Sequence, residues 1–180
     1  MIEVAAGRIA RHIKSVVPNH PVPEDSMRHS LIIILNFVSV VVLTVLAGLA
    51  TGRLDEAVML LKCFAFLRLF SGGLHLQTSM GCAIITAGTA TALSMLSIGT
   101  GFSGTLTVIS MLIMLIYAPS GIENQTRIPE RFYPALKVIS FLVVASNLWF
   151  GSSMAAIAFF VQALTLVINE HFTKGGDKHV

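Results

Sequence analysis

Residues 69–122 read LFSGGLHLQTSMGCAIITAGTATALSMLSIGTGFSGTLTVISMLIMLIYAPSGI, 54 positions without one Asp, Glu, Lys or Arg. A second charge-free run covers residues 138–169, and a third, 21 residues long, covers 30–50. About 20 apolar residues in a helix cross the roughly 30 Å of bilayer hydrocarbon. Around these runs the 180-residue chain is 54% hydrophobic and only 12% charged, with net charge +3 and mean hydropathy +0.81. A soluble domain carries about 25% charged residues. The composition excludes one and points to an all-α, polytopic integral membrane protein.

Working outward from that block, the rest of the chain divides at its polar and glycine-rich points. Residues 1–17 set Ile2, Ala5, Ala6, Ile9 and Ile13 against Arg8, Arg11, His12 and Lys14 at helical spacing, an amphipathic helix. Two readings of it stand equally: it lies on an anionic leaflet, or it docks on the rest of the protein. Pro18, Pro21 and Pro23 end it. Spans follow at 30–50, at 57–70 (shorter, interrupted by Lys62 and Arg68), at 79–98 and at 105–118. Residues 99–104, with three glycines, close the third of these. The run 138–169 would be about 48 Å long as one helix at 1.5 Å per residue, so Gly151-Ser-Ser153 predicts a reversal between two short spans. The sum is about six transmembrane helices after the amphipathic one. The expected layout is an amphipathic segment 1–29 at the cytoplasmic face, a helical membrane domain 30–170, and a short cytoplasmic tail 171–180.

Basic residues set the expected orientation. With both termini cytoplasmic, the inner segments hold Arg8, Arg11, Lys14, Arg28, Arg127, Arg131, Lys137, Lys174 and Lys178, against Arg53 alone outside. This multi-pass topology puts residues 68–82 at the cytoplasmic face of the cell membrane. The pI of about 9.1 comes from these short segments, without the basic stripe that nucleic acid would need. The first apolar run is too long for a signal-peptide core and has no small-residue cleavage site after it. Gly48 and Gly52 have the G-x-x-x-G spacing of close helix packing or a homodimer.

Chemistry concentrates in residues 68–82. Of six histidines, only His75 lies inside the 54-residue uncharged block, where an ionisable side chain is costly and normally has a partner. Cys82 follows seven residues later. A thiol and an imidazole form the minimum unit of thiol catalysis, the imidazole taking the proton and the thiolate attacking a carbonyl. On one unbroken helix the two would stand roughly 10 Å apart, whereas proton transfer needs about 3 Å. A Cys–His site therefore requires a chain break, and Gly72, Gly73 and Gly81, with Thr78 or Ser79 as helix caps, permit it. With Ser79 as cap, Cys82 is the third helical residue, at the positive helix end that favours a thiolate. Arg68 is open to two readings: it stabilises thiolate, substrate carboxylate or oxyanion, or it snorkels to the interface. Gln77, Thr78 and Ser79 are candidate imidazole orienters or oxyanion donors. An acidic third member has to come from outside the block, Glu123 or Glu130. Cys63 reads as a buried core residue. A zinc site lacks ligands at useful spacing, and no cofactor or metal is expected.

Arg68-Leu-Phe-Ser-Gly-Gly-Leu-His75, six residues, then Cys82 resembles the active-site segment of the AgrB family, integral membrane cysteine endopeptidases that process quorum-sensing peptide precursors in Gram-positive bacteria. Tyr117-Ala-Pro119 before a charged segment is also similar to that family, as are chain length and span distribution. The resemblance implies His75 as base, Cys82 as nucleophile, and Arg68 and Gly73 as the arginine and glycine flanking the site. The implied partner is an AgrD-like precursor peptide with an amphipathic leader, a signal region and an acidic C-terminal tail. It implies release of that tail through an acyl-enzyme thioester and closure of a thiolactone or lactone. Residues 120–127, SGIENQTR, depart from the lysine run of some members. The competing expectation is a small transporter or signalling component in which Arg68 and His75 line a polar path.

Overall fold

The computed structural model describes residues 2–19, 21–73, 78–96, 98–121 and 129–176, without the side chains of residue 100 and of 172–176. Among these residues the chain is all-helical. The amphipathic helix α1 (Ile2–Val16) is followed by α2 (Glu24–Thr51), α3 (Leu54–Ser71), α4 (Ser79–Ser94), α5 (Thr100–Tyr117), α6 (Tyr133–Phe150) and α7 (Ser153–Gly176). A 3-10 turn, Glu130–Phe132, leads into α6. The segments Glu24–Thr51, Glu130–Phe150 and Ser153–His171 are long and apolar enough to cross a membrane, while α4 and most of α5 are shorter apolar helices.

Local chemistry explains most boundaries. Gly52 and Gly151 adopt φ of +68° and +63°, the left-handed conformation that ends a helix, and their N–H groups donate back to Gly48 and Asn147 carbonyls. The expected reversal at Gly151-Ser-Ser153 is thus present. Several boundaries differ from the sequence expectation: α4 ends at Ser94, four residues early, α6 begins at Tyr133, and α7 runs past residue 169. Helix α2 begins at Glu24, directly after Pro23, because Glu24 and Asp25 complement the positive helix start. Helix α5 begins at Thr100, so Gly101 and Gly104 lie inside it. Packing through apolar residues outweighs their poor helix propensity.

The bundle is apolar outside and small or polar inside. Trp149, Phe150, Leu69 and Ile116 point outward, Trp149 being 90% exposed. Buried positions include Ala83, Ala87, Ala90, Ala156, Ala158 and Ala163, with Ser71, Thr107, Ser110 and Gln162. Lipid is as apolar as Leu, so helices associate through small residues and polar pairs, not by burying large side chains. The buried hydroxyls of Ser71, Thr91, Thr107 and Ser110 donate to carbonyls one turn back, which satisfies them within their own helices. One apolar cluster joins Leu67, Met114, Val144, Phe159 and Leu166; a second joins Leu60, Ala90, Ile157 and Ala158. Helix α3 therefore touches α2, α4, α6 and α7.

At one end of the bundle the Ser153 hydroxyl donates to the Ile98 carbonyl at 3.1 Å, tying the α6–α7 turn to the segment after α4. At the opposite end lie the end of α3, the starts of α1 and α4, and the end of α5. Of the two readings of the amphipathic helix, docking is what the structure displays: Ile2, Ala6 and Ala10 are buried against α2 and α4. The G-x-x-x-G glycines serve separate purposes. Gly48 lets α3 approach, since a Cβ there would stand 3.0 Å from the Leu54 Cα, and Gly52 ends α2.

Candidate active site

The chain breaks where a Cys–His site requires it. Helix α3 stops at Ser71 and α4 starts at Ser79, so Arg68 and Cys82 belong to different helices. Leu61, Phe64 and Arg68 recur at spacings of three and four, one face of α3; Cys82, Thr86 and Thr89 do the same on α4. The two faces, with Val161 and Thr165 of α7, line a cavity of about 110 Å³. Arg68 and Cys82 also line a wider apolar groove of about 1080 Å³ between α2, α3 and α6. The guanidinium carbon of Arg68 lies 5.7 Å from the Phe64 ring centre, a cation–π distance, and the group interacts electrostatically with the Cys82 thiol. Both partners are half-buried.

The start of α4 agrees with the expected span, and of the two caps the sequence offers the structure takes Thr78. Thr78 occupies the N-cap position and Ser79 is the first helical residue, so Cys82 is the fourth. The Cys82 N–H donates to the Thr78 carbonyl at 3.0 Å, which closes the first helical turn. The Thr78 side chain makes no capping hydrogen bond to this helix. Instead the backbone N–H of Ser79 donates to Glu3 Oε1 at 3.1 Å, a contact from α1. Its own backbone N–H, the Ser79 hydroxyl and the Ser79 N–H hold the Glu3 carboxyl well below the usual range, at about 2. Gly81 admits the neighbouring threonine: a Cβ there would stand 2.6 Å from Thr78 Oγ1.

The end of α3 is held with equal definition. Gly72 and Gly73 take φ of +71° and +120°. Gly73 N–H donates to the Ser120 carbonyl at 2.8 Å, and Ser120 N–H to the Ser71 carbonyl at 3.0 Å, a parallel bridge between the exits of α3 and α5. Fully buried Gln162 of α7 donates from Nε2 to the Ser71 hydroxyl at 2.9 Å and the Gly72 carbonyl at 2.6 Å. About two turns along, Asn169 Nδ2 donates to the Ser120 hydroxyl at 2.9 Å. Gly73 must be glycine here, because a Cβ would meet Thr165 Oγ1 at 2.8 Å and Gln162 Nε2 at 3.0 Å.

The structure thus brings Arg68 and Cys82 to one cavity, and Gly73 to the anchored exit of α3. Thr78 is exposed and Ser79 is 7% exposed with its backbone N–H bound to Glu3. His75, Gln77 and Glu123 lie outside the described residues. Glu130 is exposed in the 3-10 turn; the carboxylate found beside the start of α4 is Glu3. Cys63 packs against both apolar clusters, as a core residue does. Among the described residues no three His, Cys, Asp or Glu side chains gather as metal ligands would. Glu3, Gln162 and Asn169 were invisible to local sequence reading. Their only signal was a polar residue on the edge or inside of an apolar helical pattern.

An all-helical bundle with bulky apolar side chains facing outward, small and polar residues within, and a thiol beside a guanidinium at one end defines an integral membrane protein with a polar site. The family model described as accessory gene regulator B (AgrB) matches residues 6–172. The chain belongs to that family. It is also similar to a putative AgrB-like protein of Halalkalibacterium halodurans, 25% identical over 145 residues that cover 80% of this chain and 74% of that protein. No solved structure matches the chain. Family membership supports a role in accessory gene regulator peptide processing.

Proposed function

We propose that the chain is a membrane-embedded cysteine endopeptidase that removes the C-terminal tail of an AgrD-like precursor peptide and promotes its cyclisation. The observation that carries the reading is the fold-back between α3 and α4, which brings Arg68 to the cavity lined by Cys82 and ends α3 four residues before His75.

In this reading His75 takes the Cys82 proton and the thiolate attacks the scissile carbonyl. Arg68 stabilises the negative charge that develops, at a half-buried position where it counts for more than in water. The carbon–nitrogen bond breaks, and the imidazolium returns its proton to the amine of the departing acidic tail. An acyl-enzyme thioester remains. A cysteine thiol or serine hydroxyl of the signal region then gives its proton to the neutral His75 imidazole and attacks the thioester. The bond to Cys82 breaks, its sulfur leaves as the thiolate and regains that proton, and the thiolactone or lactone closes. Thioester exchange has little intrinsic driving force in either direction, so hydrolysis must be kept slow. The apolar walls, Leu60, Leu61, Phe64, Ile85 and Val161, serve that purpose.

Both termini and the site face the cytoplasm in this proposal, since Arg8, Arg11, Lys14, Arg28 and Arg131 lie toward one end of the bundle and Arg53 at the other. That positive end favours an acidic tail in a salt-dependent way. The testing experiment is co-expression with the neighbouring small precursor reading frame and mass analysis of the products. Cys82→Ala is expected to abolish cleavage while membrane insertion persists; retained cleavage removes the mechanism.

A further inference from the structure

Gln162 is a fully buried amide in a largely apolar stretch of α7, AIAFFVQALTLVI (residues 156–168), and the proposed chemistry does not use it. A buried amide without partners is costly, so where its hydrogen bonds go is informative. Its Nε2 goes to the exit of α3, binding the Ser71 hydroxyl and the Gly72 carbonyl. Seven residues on, near the same face of α7, Asn169 binds the Ser120 hydroxyl at the exit of α5. Both glycines at these exits are fitted to the same helix. A Cβ on Gly73 would strike Gln162 and Thr165, and one on Gly121 would stand 2.9 Å from Asn169 Nδ2. Gly121 also has a positive φ, +69°.

We infer that Gln162 and Asn169 are positioning residues of the peptidase site: α7 holds the exits of α3 and α5 as one unit beside the cavity of Arg68 and Cys82. The inference rests on the proposed function. The physical reason is the backbone at Gly72 and Gly73. The Gly72 N–H makes the last helical bond, to the Arg68 carbonyl; two successive positive φ values then turn the chain away, so the Gly72 carbonyl and the Gly73 N–H need partners from elsewhere. Water at the membrane surface would satisfy them without defining their place. Gln162 and the Ser120 strand-like contact satisfy them in one geometry, two residues before His75 in sequence. A displacement of about 1 Å at a reacting group can cost about 100-fold in rate.

The test measures precursor cleavage by purified full-length protein in lipid nanodiscs, with Cys82 alkylation by a small maleimide followed in parallel. Gln162→Met keeps the side chain's length and removes its donors. Its kcat is expected to fall about 100-fold, with KM within about threefold and Cys82 labelling within about twofold, because α4 is not part of the clamp. Asn169→Leu acts in the same direction. The double variant is expected to be no worse than the stronger single, as for residues acting through one unit. Ser71→Ala, a milder change that leaves the Gly72 contact, should give an intermediate kcat and guards against a misfolded Gln162 variant. Unchanged kcat in Gln162→Met and Ser71→Ala, or a loss that only follows the folded fraction, overturns the inference. Cys82→Ala run alongside separates the two failures: retained cleavage there removes the peptidase reading and this one with it, whereas abolished cleavage with normal Gln162→Met turnover removes this one alone.

Discussion

The Glu3 carboxylate accepts a hydrogen bond from the Ser79 backbone N–H at 3.1 Å, so the third residue of the chain closes the start of the helix that carries Cys82. An N-terminal cap normally comes from the residue just before the helix. Here the Thr78 side chain makes no capping bond, and the acceptor arrives from α1, which buries Ile2, Ala6 and Ala10 to reach it. Docking of the amphipathic helix and order at the first turn of α4 are thereby one event.

That link carries a pH signature. The Glu3 carboxyl is depressed from 4.5 to about 2, first by its own backbone N–H and then by the Ser79 hydroxyl and N–H; the Ser79 part is lost when α1 is released, so the docked carboxyl binds fewer protons. The stabilisation it gives is complete above about pH 5 and is lost as pH falls through 2. Pepsin cleavage within residues 2–16 should therefore rise as pH drops from 4.5 to 2. Glu3→Gln keeps an acceptor without the charge and should flatten the profile. A wild-type profile that matches the variant's would show that the carboxylate does not hold α1.

Cys63 and Cys82 are both half-buried, so accessibility alone predicts similar reactivity. Cys82 differs by lying in the first turn of α4 near a guanidinium. Such surroundings activate thiols. Alkylation in detergent near neutral pH is expected to be at least about tenfold faster at Cys82, and Cys63→Ala should leave cleavage nearly intact. Equal, slow labelling of the two would argue against an activated nucleophile.

Arg68 separates charge from geometry. Its planar guanidinium stands near the Phe64 ring and shares the cavity with Cys82. Arg68→Ala is expected to lower precursor cleavage about 100-fold, the scale of losing one oxyanion-stabilising group. Arg68→Lys should recover only a minor part, because an ammonium cannot reproduce the fork or the stacking. Full activity in the lysine variant would reduce Arg68 to a snorkelling residue.

Glycine substitutions should divide by position. Gly73→Ala meets two α7 side chains within 3.0 Å at a φ of +120°, and should destabilise the protein by about 1–3 kcal/mol. Gly104→Ala lies inside α5 with nothing within 4 Å of the added carbon. It should stabilise by about 0.5–1 kcal/mol through helix propensity. Thermal unfolding of both variants in one detergent gives the comparison; equal midpoints would contradict the tight fit at Gly73.

The AgrB resemblance was legible in the spacing of Arg68, Gly73, His75 and Cys82, and the family match supports it. The acid beside that segment was not legible. The spacing offers Glu123, which lies outside the described residues, and Glu130, which is exposed in the 3-10 turn; Glu3 reaches Ser79 across 76 residues, a pairing no local pattern signals. The choice of cap was open between Thr78 and Ser79, which have similar capping chemistry, and Thr78 takes the position.

The sequence by itself determined that this is a helical membrane protein and that the chain turns at the glycines near 52, 72–73 and 151. Those properties are local: the length of an uncharged run measures a bilayer crossing, and Gly72, Gly73 and Gly151 permit backbone that other residues resist. Only the tertiary structure decided which helices meet, so that Gln162 reaches Gly72 across 90 residues and Asn169 reaches Ser120 across 49. The reason is that hydrophobicity places a helix in lipid without choosing its neighbour. Neighbours are chosen by small-residue packing and a few polar pairs, and those exist only once the helices have come together.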